Sequence, residues 1–130
     1  MDLPEPFRAL TFKGEPIIKE GETIWEIITE EDGGDFGLAL ARIVETEPHY
    51  HEKTRELYVV VAGFLRLEIS THKRSHLKSM TFGVGAGRAQ PIPTGRIHQA
   101  WAENCEAAWV LVFTWPAFSS EDYIPTQWKM

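Results

Sequence analysis

Residues 48–63 read PHYHEKTRELYVVVAG, and this stretch indicates both a fold and a chemistry. In an extended chain, His49 and His51 lie on the same face of a strand, about 7 Å apart. Glu56 follows His51 at an odd separation, so in an unbroken strand its carboxylate would face the other way. A turn in the polar run 52–55 would reverse the chain. Glu56 would then begin a new strand that continues over 57–62, with its carboxylate on the side of the two histidines. Two imidazoles and one carboxylate would then converge, a donor set that suits a borderline or hard divalent ion.

Length and composition restrict the class of protein. The chain has 130 residues and a net charge of −6, which predicts one domain over 1–130 with its own core. No segment is both basic and aromatic, so nucleic acid is not an expected partner. Cys105 is the sole cysteine, which excludes an intrachain disulfide and favours a reducing compartment. Neither a signal-peptide pattern nor an apolar run of 18 residues is present, so we expect a cytoplasmic protein without a membrane span.

The rest of the chain is typical of an all-β protein. Gly and Pro interrupt residues 1–22, which predicts an irregular N-terminal arm with a short strand at 17–18. Residues 23–115 contain short β-branched and aromatic segments separated by turn residues, and 116–130 form a C-terminal tail with one helical turn at 119–122. We predict a loop containing Gly83, Gly85 and Gly87. The predicted strands are 23–29 paired with 36–44, 57–62 paired with 64–69, and then 77–82, 89–92, 98–102 and 107–115.

Two spaced motifs connect these segments. The first is His-x-His-x4-Glu-x6-Gly, which ends at Gly63, and the second is Gly-x5-Pro-x-Gly-x2-His, which ends at His98. Together they resemble the motifs of the cupin superfamily. Ile43 and Ala102 stand where the family usually has a glycine and an asparagine, so the resemblance is to a divergent member.

The resemblance implies a fold and a metal site. The fold is a double-stranded β-helix, also called a jelly-roll barrel. The site would hold one divalent transition metal, Fe, Mn, Ni or Zn, and the four residues at the family's ligand positions are His49, His51, Glu56 and His98. His72 and His76 lie on a polar, basic excursion and are expected to be solvated, and Cys105 is expected to be a bystander.

Such a ligand set leaves one net positive charge on a divalent ion and favours a small anionic substrate that chelates through two oxygens. The first hypothesis is a mononuclear metal enzyme, with a dioxygenase placed ahead of an isomerase, epimerase or lyase. The second is a non-catalytic module that binds a small ligand or a metal. The third is a metal-free structural or storage barrel, and a closed structural zinc is a further alternative. Tyr58 shares the face of Glu56 and Gln90 precedes the Pro-Thr-Gly turn, so both are candidate substrate contacts. No separate general acid or base is evident.

Several strands are apolar on both faces. Leu57, Val59 and Val61 form one such second face, and a similarly apolar group nearby consists of Ile24, Trp25, Ile27 and Ile28. This is more apolar surface than one small barrel can hide, so we expect a homodimer formed by sheet packing.

Overall fold

The computed structural model describes residues 3–73 and 78–128, and within them the chain is built from short strands. Three single-turn 3₁₀ helices accompany them, at Glu5–Phe7, Glu30–Asp32 and Ser120–Asp122. The strands in chain order are β1 (Ile17–Lys19), β2 (Glu22–Ile28), β3 (Gly37–Ile43), β4 (His49–Tyr50), β5 (Arg55–Ala62), β6 (Phe64–Ser70), β7 (Ser79–Gly85), β8 (Ala89–Ile92), β9 (His98–Ala102), β10 (Ala108–Trp115) and β11 (Ile124–Pro125).

The strands form two antiparallel sheets. One has the order β1-β2-β3-β10-β5-β8 and the other has the order β11-β4-β9-β6-β7. Their inner faces enclose a core that includes Ile43, Val60, Leu65, Leu67 and Val110, all fully buried. The all-β prediction is confirmed. The two sheets pack as a sandwich and are not closed into a barrel.

The two-residue period of β5 decides which side chains enter the space between the sheets. Glu56, Tyr58 and Val60 are buried, whereas the outward residues from Leu57 onwards are only half-buried and Arg55 is exposed. Successive strand residues point to opposite faces, so a carboxylate and a phenol necessarily share the inner face with the core. The outward face is apolar, and the homodimer that depends on it stays a prediction.

The predicted pairing of β5 with β6 is wrong. β5 pairs with β10 and β8, whereas β6 lies in the other sheet between β9 and β7. The chain passes from one sheet to the other at Gly63, where φ is +84°. A Cβ at this position would lie 2.9 Å from the carbonyl oxygen of Ala107. Adjacent strands separated by one glycine look like a hairpin in sequence, but here that glycine makes a crossover between layers.

The predicted glycine loop is also wrong in part. Gly83 and Gly85 lie within β7, and only Gly87 of the three has a positive φ. β7 pairs with β6 so that Phe64 lies opposite Gly85. A Cβ at Gly83 would lie 2.8 Å from Cζ of Phe64, so this glycine provides space that the phenyl ring occupies. Glycine inside a strand therefore marks a close approach here rather than a turn.

Both ends of the chain join the sheets. β1 extends the larger sheet by pairing with β2, which begins at Glu22, inside the predicted arm. β11, in the predicted tail, pairs with β4 and sets Pro125 opposite His49. The helical turn predicted at 119–122 is confirmed at Ser120–Asp122. In the part of the chain that the structure describes, no helix has the length and apolar character needed to cross a membrane.

The crossover at Gly63 gives a stability prediction. Gly63→Ala should lower the free energy of unfolding by about 2–4 kcal/mol, because it adds a close contact to an unfavourable positive φ. Gly14→Ala is the matched control, since Gly14 also has a positive φ, of +73°, but nothing lies within 4 Å of the added Cβ. The control should lose about 1 kcal/mol. Urea denaturation of both variants measures the difference, and equal losses would contradict the crossover geometry.

Candidate metal centre

The structure brings together the four residues that match the ligand positions. Their candidate ligand atoms all lie within 4.8 Å of one another, and all four side chains are buried. His49 and His98 face each other across the β4–β9 pair. Glu56 reaches the same point from β5 in the opposite sheet. The cluster is therefore assembled by the packing of the two sheets, with His51 supplied by the segment that follows β4.

A backbone carbonyl fixes the orientation of each imidazole. His49 Nδ1 lies 2.8 Å from the Glu47 oxygen, and His98 Nδ1 lies 3.0 Å from the Arg96 oxygen. His51 Nδ1 lies 2.8 Å from the Asp122 oxygen. A carbonyl can only accept, so the neutral ring must carry its proton on Nδ1 and leave a free lone pair on Nε2. This arrangement is the one that metal-ligating histidines commonly show.

Three buried polar atoms at the centre of the cluster lack hydrogen bonds to the described residues. His51 Nε2 and His98 Nε2 lie 3.1 and 3.0 Å from Glu56 Oε1. These distances suit ion pairs, yet none of the three atoms has a hydrogen-bond partner of acceptable geometry among the residues that the structure describes. Because each of these rings donates through Nδ1, the lone pair of its Nε2 faces a lone pair of the carboxylate oxygen. Leaving such a buried group unsatisfied costs about 1–3 kcal/mol. A cation between these atoms would satisfy all three, so the donor set fits a divalent metal.

The electrostatics of the cluster agree with this assignment. Burial lowers the pKa of His49 well below its usual range, and the nearby His98 adds to this effect. Burial also acts to lower the pKa of His51, but the Glu56 carboxylate outweighs it and raises that pKa overall. Burial acts to raise the pKa of Glu56, but His51 and His98 together hold it well below its usual range. A proton on His51 and a metal ion would compete for the same atoms, so acidification should weaken metal binding.

Asp122 is a residue of the site that the sequence reasoning missed. Its carboxylate accepts hydrogen bonds from the backbone N–H groups of Glu52, Lys53 and Thr54, at 2.8 to 3.2 Å. Burial acts to raise its pKa, but a hydrogen bond with the Thr54 side chain, together with these backbone bonds, outweighs burial and lowers it. Since its own carbonyl holds His51, Asp122 fixes both the turn predicted at 52–55 and one imidazole. The sequence indicates the helical turn that carries Asp122, but not its partner about 70 residues away.

Tyr123 covers the cluster from the same segment. Its ring stacks on His49 with centroids 4.5 Å apart, and its hydroxyl donates to Glu47 at 2.8 Å. The ammonium group of Lys19 lies 4.0 Å from the centre of the Tyr123 ring, which is a cation–π distance. The N-terminal strand and the C-terminal segment thus meet beside the cluster.

A cavity opens next to the cluster, and much of its wall is apolar. His49, His51 and Glu56 lie on its wall, and so does Tyr58, one of the two predicted substrate contacts. Burial raises the pKa of Tyr58 well above its usual range, so its hydroxyl stays protonated and can donate. Gln90 is opposite Tyr58 in the β5–β8 register but is not among the described lining residues, and its amide donates to the Pro91 carbonyl. The apolar lining residues include Ile24, Ile28, Leu38, Val112 and Phe118.

The remaining candidates lie elsewhere. His72 is exposed and is not part of the cluster, and His76 lies outside the described residues. Cys105 is exposed, with its thiol 3.7 Å from the Phe64 carbonyl oxygen.

No family model and no curated protein matches the chain, but many solved structures do. An oxalate decarboxylase from Bacillus subtilis aligns with 85% of this chain at 22% identity and a TM-score of 0.74. KdgF from Halomonas sp. aligns with 81% of it at 16% identity and a TM-score of 0.63. A Lactobacillus farciminis oxalate decarboxylase in complex with formate aligns with 85% of this chain at 19% identity and a TM-score of 0.69. The chain has a cupin fold.

The share of each solved structure that this chain covers differs between them. The chain covers 29% and 33% of the two oxalate decarboxylases, so it spans about a third of their length, whereas it covers 90% of KdgF. In this chain, inward residues of both sheets meet at the His/Glu cluster.

Proposed function

We propose that this cupin-fold chain binds one divalent transition metal through His49, His51, Glu56 and His98, and that it acts as a mononuclear metal enzyme on a small carboxylate. The observation that carries the proposal is the convergence of His51 Nε2, His98 Nε2 and Glu56 Oε1 without hydrogen-bond partners among the described residues. Three of the four cluster residues also form part of the wall of a cavity, so a ligand in that cavity would reach the site directly.

The structural neighbours support the class of substrate. Several are oxalate decarboxylases, one of which is described with Mn(II) centres and another in complex with formate. At identities near 20% they establish the fold alone, so a small carboxylate ligand and Mn(II) are part of the proposal. Iron, nickel and zinc suit the same imidazole and carboxylate donors.

The metal ion and the residues of the cavity wall would each act on a different part of the ligand or its surroundings. When bound, the metal ion would supply positive charge that polarises a carboxylate or carbonyl oxygen of the ligand. Tyr58 presents a protonated hydroxyl on the cavity wall, which can donate to an anionic ligand. Thr114 presents a buried hydroxyl that has no hydrogen-bond partner among the described residues and lies opposite Glu56 in the β10–β5 pair. The apolar wall limits water around the reacting groups, which strengthens their electrostatic interactions.

Metal loading tests the proposal. Protein freed of metal by a chelator should bind about one Mn(II) per chain, and Mn(II) at 100 times its dissociation constant should stabilise the fold by about 2.7 kcal/mol. Metal analysis and thermal unfolding measure the two effects. A protein that binds no Mn(II), Fe(II), Ni(II) or Zn(II) would contradict the proposal and favour the metal-free barrel.

The reaction class needs a separate measurement. Oxygen uptake by Fe(II)-loaded protein with small oxo, hydroxy and phenolic acids identifies a dioxygenase. Product formation from the same acids without oxygen uptake identifies an isomerase or lyase. Binding of these acids without turnover identifies a non-catalytic module.

A further inference from the structure

Glu22 is a carboxylate of the cavity that the metal cluster does not use. It is the first residue of β2, and its Cα partners are Lys19 on β1 and Ile43 on β3. Ile43 is fully buried on the inner face of the larger sheet, and directly opposite residues of neighbouring strands share a face. Glu22 therefore points inward, where it lines the cavity with His49 and Glu56. Within residues 3–73 and 78–128, its carboxylate forms no hydrogen bond or ion pair.

The charged and titratable groups around Glu22 come from several elements. Burial raises the pKa of Glu22 to about 7, with Glu56 adding to the effect and Lys19 opposing it. The charge of Glu22 in turn contributes to the raised pKa values of Tyr58 and Tyr123, which line the same cavity. Near neutral pH, Glu22 therefore exists in both its neutral and its ionised form.

Among the residues that the structure describes, the titratable side chains that line this cavity with Glu22 include imidazoles, phenols and a second glutamate. The three imidazoles are committed to the cluster through Nε2 and to backbone carbonyls through Nδ1. Burial raises the pKa values of Tyr58 and Tyr123, so both phenols stay protonated. Glu26 lines the cavity two residues further along the same face, but it also borders a second, open cavity beside Lys13.

We propose that Glu22 is the acid of this cavity: its neutral carboxyl donates a hydrogen bond to an anionic oxygen of the ligand held at the cluster and can transfer that proton. The inference rests on the proposed function and adds a residue to it. In the transfer, the O–H bond of Glu22 breaks, its electron pair stays on the carboxylate, and the proton forms a bond with the anionic ligand atom. Geometry favourable for proton exchange and a suitable proton affinity are what a general acid requires.

The test measures the affinity of Mn(II)-loaded protein for oxalate, by calorimetry under argon between pH 5.5 and 8.5. Glu22→Gln keeps a neutral donor at every pH, whereas wild-type Glu22 ionises as the pH rises and then repels the ligand. The two proteins should bind oxalate equally at pH 5.5, and the variant should bind about tenfold more tightly at pH 8.5, the effect of one pKa unit. A metal ion in the cluster lowers the pKa of Glu22, so the midpoint of this change should lie at or below pH 7.

Glu26→Gln is the matched control, since it removes a carboxylate from the same strand and the same face. It should follow the wild-type pH dependence. The metal content of each protein is measured at each pH, so that loss of the ion is not mistaken for loss of oxalate. A second measurement needs no variant: wild-type protein should take up about half a proton per oxalate near pH 7 and little at pH 5.5, as expected for a shift of one pKa unit and as shown by binding enthalpies in buffers of different ionisation enthalpy.

The failures of the two proposals are distinguishable. A protein that takes up no metal refutes the proposed function, and the role of Glu22 falls with it. If metal is bound, a wild-type to Glu22→Gln affinity ratio that does not change with pH overturns the role of Glu22 alone. The same conclusion follows if Glu26→Gln behaves like Glu22→Gln, if no proton is taken up, or if the metal-loaded protein binds no oxalate at any pH.

Discussion

Replacing His98 by alanine should lower the affinity for Mn(II) by at least about 100-fold. Removing a group that only orients a metal ligand costs up to about 100-fold, and removing a ligand itself should cost no less. His98 Nε2 lies 3.0 Å from Glu56 Oε1 in the centre of the cluster, and its ring is almost completely buried. Its removal takes away one of four donors, and no other described side chain is placed to substitute for it. Titration of metal-free protein with Mn(II), followed by calorimetry, measures the loss.

The control for this prediction is His72→Ala. His72 is exposed and is outside the cluster, so its removal should leave the Mn(II) affinity unchanged. Equal affinities of the two variants would show that the metal binds elsewhere on the chain. Circular dichroism of the metal-free His98→Ala protein checks that the fold persists.

Asp122→Asn should lower the free energy of unfolding by about 2–4 kcal/mol, because it removes a buried charge that accepts three backbone hydrogen bonds. The turn formed by Glu52, Lys53 and Thr54 would lose its acceptor, and an asparagine would direct an N–H group towards N–H donors. Because the Asp122 carbonyl also orients His51, the Mn(II) affinity should fall by about tenfold. Urea denaturation and metal titration measure the two effects.

The pH dependence of this effect has a definite sign. The folded-state pKa of Asp122 is lowered from its ordinary value of 3.8, so its contribution to stability is fully present above that value. The contribution is lost as the pH falls through the folded-state pKa, so the difference between wild type and Asp122→Asn should shrink below about pH 4. Glu121→Gln is the control, since Glu121 is the exposed neighbour, and it should change stability little at any pH. A constant difference between pH 7 and pH 3 would show that the charge of Asp122 contributes nothing.

Local spacing was sufficient for the residues that converge at the cluster. His49 lies in β4 and His51 directly follows that strand, and the polar run after them forms the turn that returns Glu56 to the same point. The strands at 89–92 and 98–102 were placed correctly for the same reason, since turn residues bound each of them. The association state and the compartment stay predictions.

The errors lie where one segment is paired with another. The sequence around Gly63 predicts a hairpin, but the strands on either side of it belong to different sheets. The sequence predicts a loop at Gly83, but this residue lies within a strand where the ring of Phe64 packs against it. In both cases the local pattern allows two arrangements, and packing against distant residues selects one.

The amino-acid sequence by itself determined the all-β class, the inward face of β5 and the identity of the four clustered side chains, because these follow from a two-residue period and fixed spacings. Only the tertiary structure decided that Asp122 holds the turn before Glu56, that Tyr123 covers His49, and that Glu22 enters the cavity. These contacts join residues about 27 to 74 positions apart, and no local periodicity encodes which distant segments minimise the free energy of the packed sheets.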